Sequence, residues 1–502
     1  MIDEPRAVPR NRWDLLDPAS AQTLEPTVPV SVVVPCRDGR RALERTLATV
    51  AVQRYPAHLL EVVVADDRSD PPLDPAAPAP FALRTVRVEH PPHGAPRFGA
   101  GAARNAGAAA AEGRLVLFCD ADVLLDPWHI AAHARWHEVS RDVVTMGPLR
   151  FVDAEAFSPE GLRAAADDGR LADVIEAHGA GSHEWIERHV ARTAGLTRER
   201  PDLFRVTVAA NLGVGRELLD ETGGFRVFGI RGIEDTEFGY RLWTAGAVLI
   251  RDPAARAWHQ GARSLTGAER ERSLEARAPF QAAWLPEGGF REDGSGGHPR
   301  PRTAVEIGDG AADDVAACVE TVLSSSDTDL LVCVPGAEPG AFPRHSRVLT
   351  GVTAADALPW SPLRLELPPG ARLTRTALAQ LRQRLDAGAL GALHVLLPGS
   401  GELAHLRRTR AIRRARRAQA EVAAASPAVG TLDPLIGELF GEEWTAGEDV
   451  GVVVDGVAPR PPARRRGPRW RSLAAAGLRG LRRARSPDDL RRLARAARRS
   501  LR

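Results

Sequence analysis

Apolar and polar positions fall into blocks that recur along the chain. Val30 to Pro35 (VSVVVP) is a short β-branched run that predicts a strand. Arg40 to Gln53 sets Leu43, Leu47 and Val50 at helical spacing on one face. Glu61 to Ala65 (EVVVA) predicts a second strand, ending in Asp66-Asp67-Arg68-Ser69-Asp70. A third, Leu83 to Val88, leads through a Pro/Gly loop to a small-residue helix, Gly101 to Ala111. Leu115 to Cys119 (LVLFC) then predicts a buried strand that stops at Asp120-Ala121-Asp122. Strands alternating with helices imply a largely parallel, doubly wound α/β sheet with right-handed crossovers.

Residues 150–204 lack strand signals and read as a helical insertion. Regular structure resumes over Val206 to Gly213, a helix is expected from Glu234 to Trp243, and a strand from Ala247 to Ile250 precedes Ala257-Trp258-His259-Gln260. Residues 266–302 are polar and rich in Gly, Pro and charge, which predicts a linker. Then the pattern begins again: Ala304 to Ile307 as strand, Val315 to Leu323 as helix, Asp329 to Val334 as strand. Leu363 to Leu367 followed by Pro368-Pro369-Gly370 echoes the strand that ends in acids, with the acids replaced. Residues 303–458 therefore read as a second α/β domain, either a degenerate copy of the first or an unrelated one. Residues 1–28 are an irregular arm.

Composition changes this picture in two ways. Hydrophobic content of 44% and a net charge of +2 describe a globular chain long enough for several cores. All 67 basic residues are arginine, so arginine runs point less strongly to an anionic partner than they otherwise would. Cys36, Cys119, Cys318 and Cys333 sit in or beside apolar stretches without metal-binding spacing and are expected to be reduced core residues. No apolar run of ~18 residues exists, and the N-terminus lacks a signal-peptide core, so a cytoplasmic protein is expected. The Arg-rich tail, 459–502, contains Ser486-Pro487-Asp488-Asp489 as a helix start, and its basic, leucine-bearing helix could rest peripherally on anionic lipid at the inner face of the membrane. A solvated disordered tail is the alternative. Nucleic acid is not expected, because aromatic interleaving is limited to Trp470.

The candidate chemistry begins at Asp120 and Asp122. Side chains two apart on an extended segment point the same way, and open α/β sheets bind ligands at the carboxyl ends of their strands. Two hard oxygen ligands there suit a divalent cation carrying a diphosphate. A solvated loop is the plain alternative for that triplet taken by itself.

Six blocks in order settle the matter further: VSVVVPCRDG, VVVADDRSD, GAARNAG, FCDAD, GGFRVFGIRGIEDTEFGYRL and AWHQ. Together they resemble the family 2 glycosyltransferases of GT-A fold, nearest the bacterial chondroitin-polymerase and galactosyltransferase-like branch. The resemblance covers residues 30 to 260 and implies a GT-A catalytic domain over 29–265, with a Rossmann-like, mainly parallel sheet. It implies a metal-dependent inverting transfer of sugar from a UDP-sugar donor to a glycan, lipid-linked or small-molecule acceptor, with Mn2+ or Mg2+ as cofactor.

The resemblance also assigns residues. Asp67 would accept a hydrogen bond from the uracil ring, with Asp66 shaping the turn; Pro35 and Arg37 would lie beneath the uridine, unless Arg37 is merely solvated. Arg104 and Asn105 would face the donor phosphates, although Asn105 could equally be a buried amide joining helix to sheet. Asp120 would meet the ribose and share the cation with Asp122, and His259 would supply a third metal ligand. Asp235 would be the catalytic base, and Glu234 would touch acceptor or donor hydroxyls; both also suit the acidic first turn of a helix. Gln281 to Trp284 does not fit the Gln-x-x-Arg-Trp motif of processive synthases, so addition of one or a few sugars is expected. Two other functions stay open. A sugar nucleotidyltransferase would share the architecture but lacks here its Gly-rich loop and catalytic lysine; a non-catalytic glycan-binding scaffold suits the second domain better than the first.

Overall fold

The computed structural model describes residues 7–454, apart from 75–79, 89–98, 231, 262–266, 288, 293–295, 398 and 426–431. The basic tail lies outside the described residues.

The strands of the first half are β1 (Val30–Cys36), β2 (Leu60–Asp66), β3 (Ala82–Arg87), β4 (Leu115–Cys119), β5 (Val123–Leu125), β6 (Val143–Met146), β7 (Leu149–Val152), β8 (Gly179–Ser182), β9 (Asn211–Gly215), β10 (Val248–Arg251) and β11 (Ala257–Gln260). Seven of them form one sheet in the order β10-β6-β9-β4-β1-β2-β3, with β9 antiparallel to both neighbours and the remaining pairs parallel. This is the expected GT-A sheet. Its central strands read as continuous apolar runs because both faces are covered. Val32, Val34, Val62 and Val64 pack toward Leu43 and Leu47 of the helix Arg40–Ala51, whereas Val33 and Val63 face Ala108 of the helix Ala100–Ala110. The latter helix is built of small residues because it lies close to the sheet: a Cβ at Gly107 would come 2.5 Å from Val33 Cγ1. A smaller sheet, β5-β11-β7-β8, stands beside the first.

Two expectations fail here. Residues 150–204 are largely helical but include most of β7 and all of β8, a Gly-Ala-Gly-Ser strand with no apolar alternation to betray it. Residues 266–302 are not a simple linker. They form the helix Gly267–Trp284 and then return buried arginines to both halves of the protein: Arg300 pairs with Glu237 at 2.7 Å, and Arg291 with Asp329 at 3.0 Å.

The second half contributes β12 (Thr303–Ile307), β13 (Leu330–Val334), β14 (Val348–Thr350), β15 (Leu363–Leu367), β16 (Ala371–Leu373), β17 (Ala392–Leu396), β18 (Leu403–Arg408), β19 (Glu442–Ala446) and β20 (Val452–Val454). Its main sheet runs β14-β13-β12-β15-β18-β17-β19, with β18 antiparallel to β15 and β17, and β17 parallel to β19. Strand for strand, that is the order and sense of the first sheet. Antiparallel β16-β20 likewise mirrors antiparallel β5-β11. Pro368-Pro369-Gly370 thus stands between β15 and β16 as Asp120-Ala121-Asp122 stands between β4 and β5.

Arginines of the helix Thr409–Ala425 join the halves. Arg410 lies 3.3 Å from the Trp243 ring centroid, and buried Arg414 donates to the carbonyls of Gly246, Val8 and Arg10. The arm at residues 7–28 is strapped down as well: Asn11 exchanges hydrogen bonds with the backbone of Leu249, covering the edge strand β10. All four cysteines are buried and free. Among the described residues no helix is long and apolar enough to cross a membrane.

Candidate active site

The carboxyl ends of the parallel strands β1, β2 and β4 lie along one edge of the sheet, and the first turn of the helix Glu234–Thr244 approaches the end of β4, so that the candidate cleft lies between them. Between Asp120 and Asp235 stands Arg104, from the first turns of the helix Ala100–Ala110. Its guanidinium donates to Asp120 Oδ1 at 2.7 Å and to Asp235 Oδ1 at 3.1 Å, and its side chain is only 4% exposed. Arg104 therefore orients two carboxylates. Its cation is raised above its ordinary pKa: burial opposes the charge, but Asp120 and Asp235 outweigh it. Both of these hydrogen bonds go to carboxylates.

Asp235 accepts a second hydrogen bond from the Ala209 backbone N–H at 3.2 Å. Its carboxyl is raised to about 6; burial is the main cause, Arg104 works against it, and the neighbouring Glu234 and Asp120 charges add to it. A carboxylate with that affinity for a proton is suited to take one from a hydroxyl near neutral pH. Glu234 is turned back on its own loop, where Oε2 accepts the N–H groups of Gly232 and Ile233 at 2.8 and 2.9 Å.

Asp122 and His259 meet across the mouth of the cleft. Antiparallel pairing sets His259 opposite Val123, and His259 Nε2 lies 3.4 Å from Asp122 Oδ2. The other ring nitrogen, Nδ1, is 3.1 Å from the Gln260 carbonyl. If Nδ1 carries the proton, a lone pair on Nε2 faces a carboxylate, an arrangement that a shared cation completes. The pair fits a divalent ion. Asp120, the other acid of the triplet, has its Oδ1 engaged by Arg104 at 2.7 Å.

At the end of β2, Asp66 is buried and engaged by Ser69 N–H at 2.8 Å, Leu73 N–H at 3.3 Å and Arg87 at 2.8 Å. These bonds let it shape the turn. Although burial opposes its charge, these donors hold it below the usual carboxylate range. Asp67 is half-buried beside Arg68, at 3.2 Å, and its backbone N–H donates to the Cys36 carbonyl at 2.8 Å. Pro35, opposite Ala65, and the exposed Arg37 complete this corner. Asn105 departs from its donor-binding assignment: its amide accepts from Phe225 N–H and donates to Phe225 O, both at 2.7 Å. It ties helix to loop, where Gly224 has φ +68° and a Cβ there would lie 2.5 Å from Asn105 Oδ1.

Other positioning residues carried no recognisable signal in advance. Gln260 donates its backbone N–H to Asp122 O at 2.7 Å and its amide to Ala42 O at 3.0 Å, so AWHQ fixes the acid loop. Glu237 and Arg241 pair at 2.8 Å in the buried half of the helix that carries Asp235, and Arg241 reaches on to Gly224 O at 2.6 Å. Their i,i+4 spacing was the one available clue.

Residues 31–204 match the sequence profile of glycosyl transferase family 2. The chain is similar to the hyaluronan synthase of Pasteurella multocida, 28% identical over 261 residues that cover 50% of this chain and 26% of that one. The chondroitin synthase of Pasteurella multocida (strain Pm70) is 28% identical over 330 residues, covering 61% and 33%, and that of Escherichia coli 26% over 243 residues, covering 46% and 34%. The matched part thus spans about a quarter to a third of these relatives' length. Among solved structures, a mannosyltransferase of Pyrobaculum calidifontis in complex with GDP-Man and Mn2+ aligns at TM-score 0.34 and 20% identity, over 55% of this chain and 70% of that one. TarS of S. aureus in complex with UDP-GlcNAc aligns at 0.34 and 16%, over 51% and 68%.

Proposed function

We propose that the first domain is a metal-dependent, inverting glycosyltransferase that moves a sugar from a UDP-sugar to a hydroxyl of a glycan, lipid-linked or small-molecule acceptor. The observation that carries this reading is the Arg104 bridge, which holds Asp120 and a proton-avid Asp235 in one cleft whose mouth presents Asp122 and His259. The similarity to hyaluronan and chondroitin synthases supports a glycan acceptor.

Asp67 would accept a hydrogen bond from the ring N–H of uracil, which cytosine lacks at that position. Asp122 and His259 would hold Mn2+ or Mg2+, with imidazole favouring the former; the ion would neutralise charge on the departing diphosphate. Asp235 removes the acceptor proton as the acceptor oxygen forms its bond to the anomeric carbon and the bond to UDP breaks. Attack from the face opposite UDP inverts the anomeric configuration. Asp120, oriented by Arg104, is left to meet the ribose. The tail, 459–502, would bring the enzyme to lipid-linked acceptors at the inner membrane face, which flotation with anionic vesicles reads out.

The test is UDP release from a panel of UDP-sugars with Mn2+ and candidate acceptors. Asp235→Asn is expected to keep UDP binding while turnover falls ~10²–10⁴-fold, the usual contribution of a general base. Normal turnover in that variant would remove Asp235 from the mechanism.

A further inference from the structure

The second domain has a polar cluster of its own. Among the described residues, His394, His405 and Asp433 are the one set of three histidine and carboxylate groups whose ligand atoms all lie within 4.8 Å of one another. The register of β17 with β18 sets His394 directly opposite His405, so both imidazoles leave the same face, and their Nδ1 atoms are 2.7 Å apart. Asp433 reaches them from the first turn of the helix Leu432–Phe440.

This cluster is incompletely satisfied. The His394 side chain is fully buried beneath Trp444, with rings stacked at 4.5 Å and 25°. Its Nε2 makes no hydrogen bond, although Glu442 Oε2 is 3.3 Å away. Asp433 Oδ1 is buried and also lacks one, although Arg407 Nε is 2.9 Å away; Oδ2 accepts from Arg407 at 3.0 Å. Two further carboxylates stand nearby: Glu442 beside His394, and Glu366, paired with Arg407 at 2.6 Å.

We propose that His394, His405 and Asp433 form a three-ligand site for a zinc-class divalent ion, clamping the helix Leu432–Phe440 to β17 and β18. Two imidazole nitrogens and one carboxylate oxygen select borderline ions such as Zn2+ or Co2+ over Mg2+ or Ca2+. With metal–nitrogen distances of ~2.0–2.1 Å, a tetrahedral ion sets its two nitrogens ~3.3 Å apart, so the imidazoles need separate by only ~0.6 Å. Arg407 remains on Asp433 as the outer partner that orients a ligating carboxylate.

The experiment uses full-length protein stripped with chelator and titrated with Co2+, read by the visible absorption of the four-coordinate ion. To silence the first-domain cleft, it is repeated in Asp122→Ala/His259→Ala. One equivalent of Co2+ is expected to bind that double variant, and Zn2+ to raise its Tm. Adding His405→Gln removes both signals, while His405→Gln alone retains the far-UV circular dichroism and a cooperative thermal transition as evidence that it folds. Asp433→Asn, on a partly exposed helix turn, provides a milder variant expected to weaken Co2+ binding ~10-fold or more, the loss seen even for outer partners. A double variant that binds no Co2+, or Asp433→Asn and His405→Gln proteins that bind it undiminished, overturns the proposal. Because the readout is metal binding in the second domain, it stands or falls separately from the transferase reading.

Discussion

Replacing Arg104 by Met tests whether this guanidinium sets the proton affinity of Asp235 or grips the donor. Met keeps an unbranched apolar stem in the buried site but loses the guanidinium, whose carbon lies 5.2 Å from the Phe225 ring centroid, together with its charge and its hydrogen bonds to Asp120 and Asp235. Removing one partner of a buried pair costs about 3–5 kcal/mol; here Asp120 and Asp235 keep 29% and 24% of their side chains exposed, so the lower end applies. An adjacent Arg lowers a carboxylate by about one to three pKa units. Without it, Asp235 should rise from about 6 to about 7–9. The ionised fraction at pH 7 then falls from about nine-tenths to between about one-half and about one-hundredth, so kcat/KM drops about twofold to a hundredfold there. At pH 9 most of the loss should return, with KM for UDP-sugar little changed. The assay is the pH profile of UDP release for both proteins, with thermal unfolding as the folding control. A loss of equal size at pH 6.5 and pH 9, carried by KM, would refute the reasoning and give Arg104 back to the donor phosphates.

Asp122→Ala should abolish Mn2+-dependent UDP binding by calorimetry, and unchanged binding would exclude Asp122 as a ligand. Asn105→Ala should cost about 2–4 kcal/mol in urea unfolding, since it strands a backbone N–H and C=O of Phe225 at about 1–3 kcal/mol each; an altered Kd for UDP without loss of stability would contradict the structural role. Gly107→Ala puts a methyl 2.5 Å from Val33 Cγ1, and overpacking of about 1–3 kcal/mol should outweigh a helix gain of about 1 kcal/mol; greater stability would contradict the close approach. Asp235→Asn has a sign that depends on pH. The folded carboxyl sits above its ordinary value of 3.8, so its contribution to stability is fully present below about 4 and is lost as pH rises through about 6. Unfolding midpoints should therefore favour the Asn protein more at pH 8 than at pH 5.

How much of this was written plainly in the sequence follows from which interactions are local. The central strands were legible because burial on both faces makes Val30–Pro35, Glu61–Ala65 and Leu115–Cys119 apolar throughout, and acids at the ends of β2 and β4 marked the cleft. Strand β8, Gly179–Ser182, carries no pattern, since it pairs only at the edge of a small sheet with β7. The helix Gly267–Trp284 was masked by Pro279 and by having no fully buried residue. The partners of Arg104 lie 16 and 131 residues away, and nothing local distinguishes a guanidinium that bridges carboxylates from one that awaits phosphate. His394 and His405 are an ordinary pair of histidines until a hairpin register sets them face to face.

The geometry of Asp235 is decided as much by its helix's far end as by the cleft. From Glu234 to Thr244 that helix carries chemistry at its first turn and a buried ion network behind it. Glu237 receives Arg241 and Arg300; although burial opposes its charge, the two guanidiniums keep it ionised. Arg300 is itself fixed by Trp284 O at 2.6 Å, so the segment expected to be a linker braces the catalytic helix. One turn further, Tyr240 donates to Trp360 O at 2.7 Å and Trp243 lies under Arg410, both partners belonging to the second half. A sheet with the fold of a transferase but Pro368-Pro369-Gly370 in place of the acids thus has a physical task without chemistry of its own. It desolvates and immobilises the helix that carries Asp235, the proposed base, where small displacements would be costly. The bridge from Asn105 to Phe225 and from Arg241 to Gly224 holds the intervening loop to the same frame. The cleft and the second half are mechanically one unit, and loosening either should be felt at Asp235.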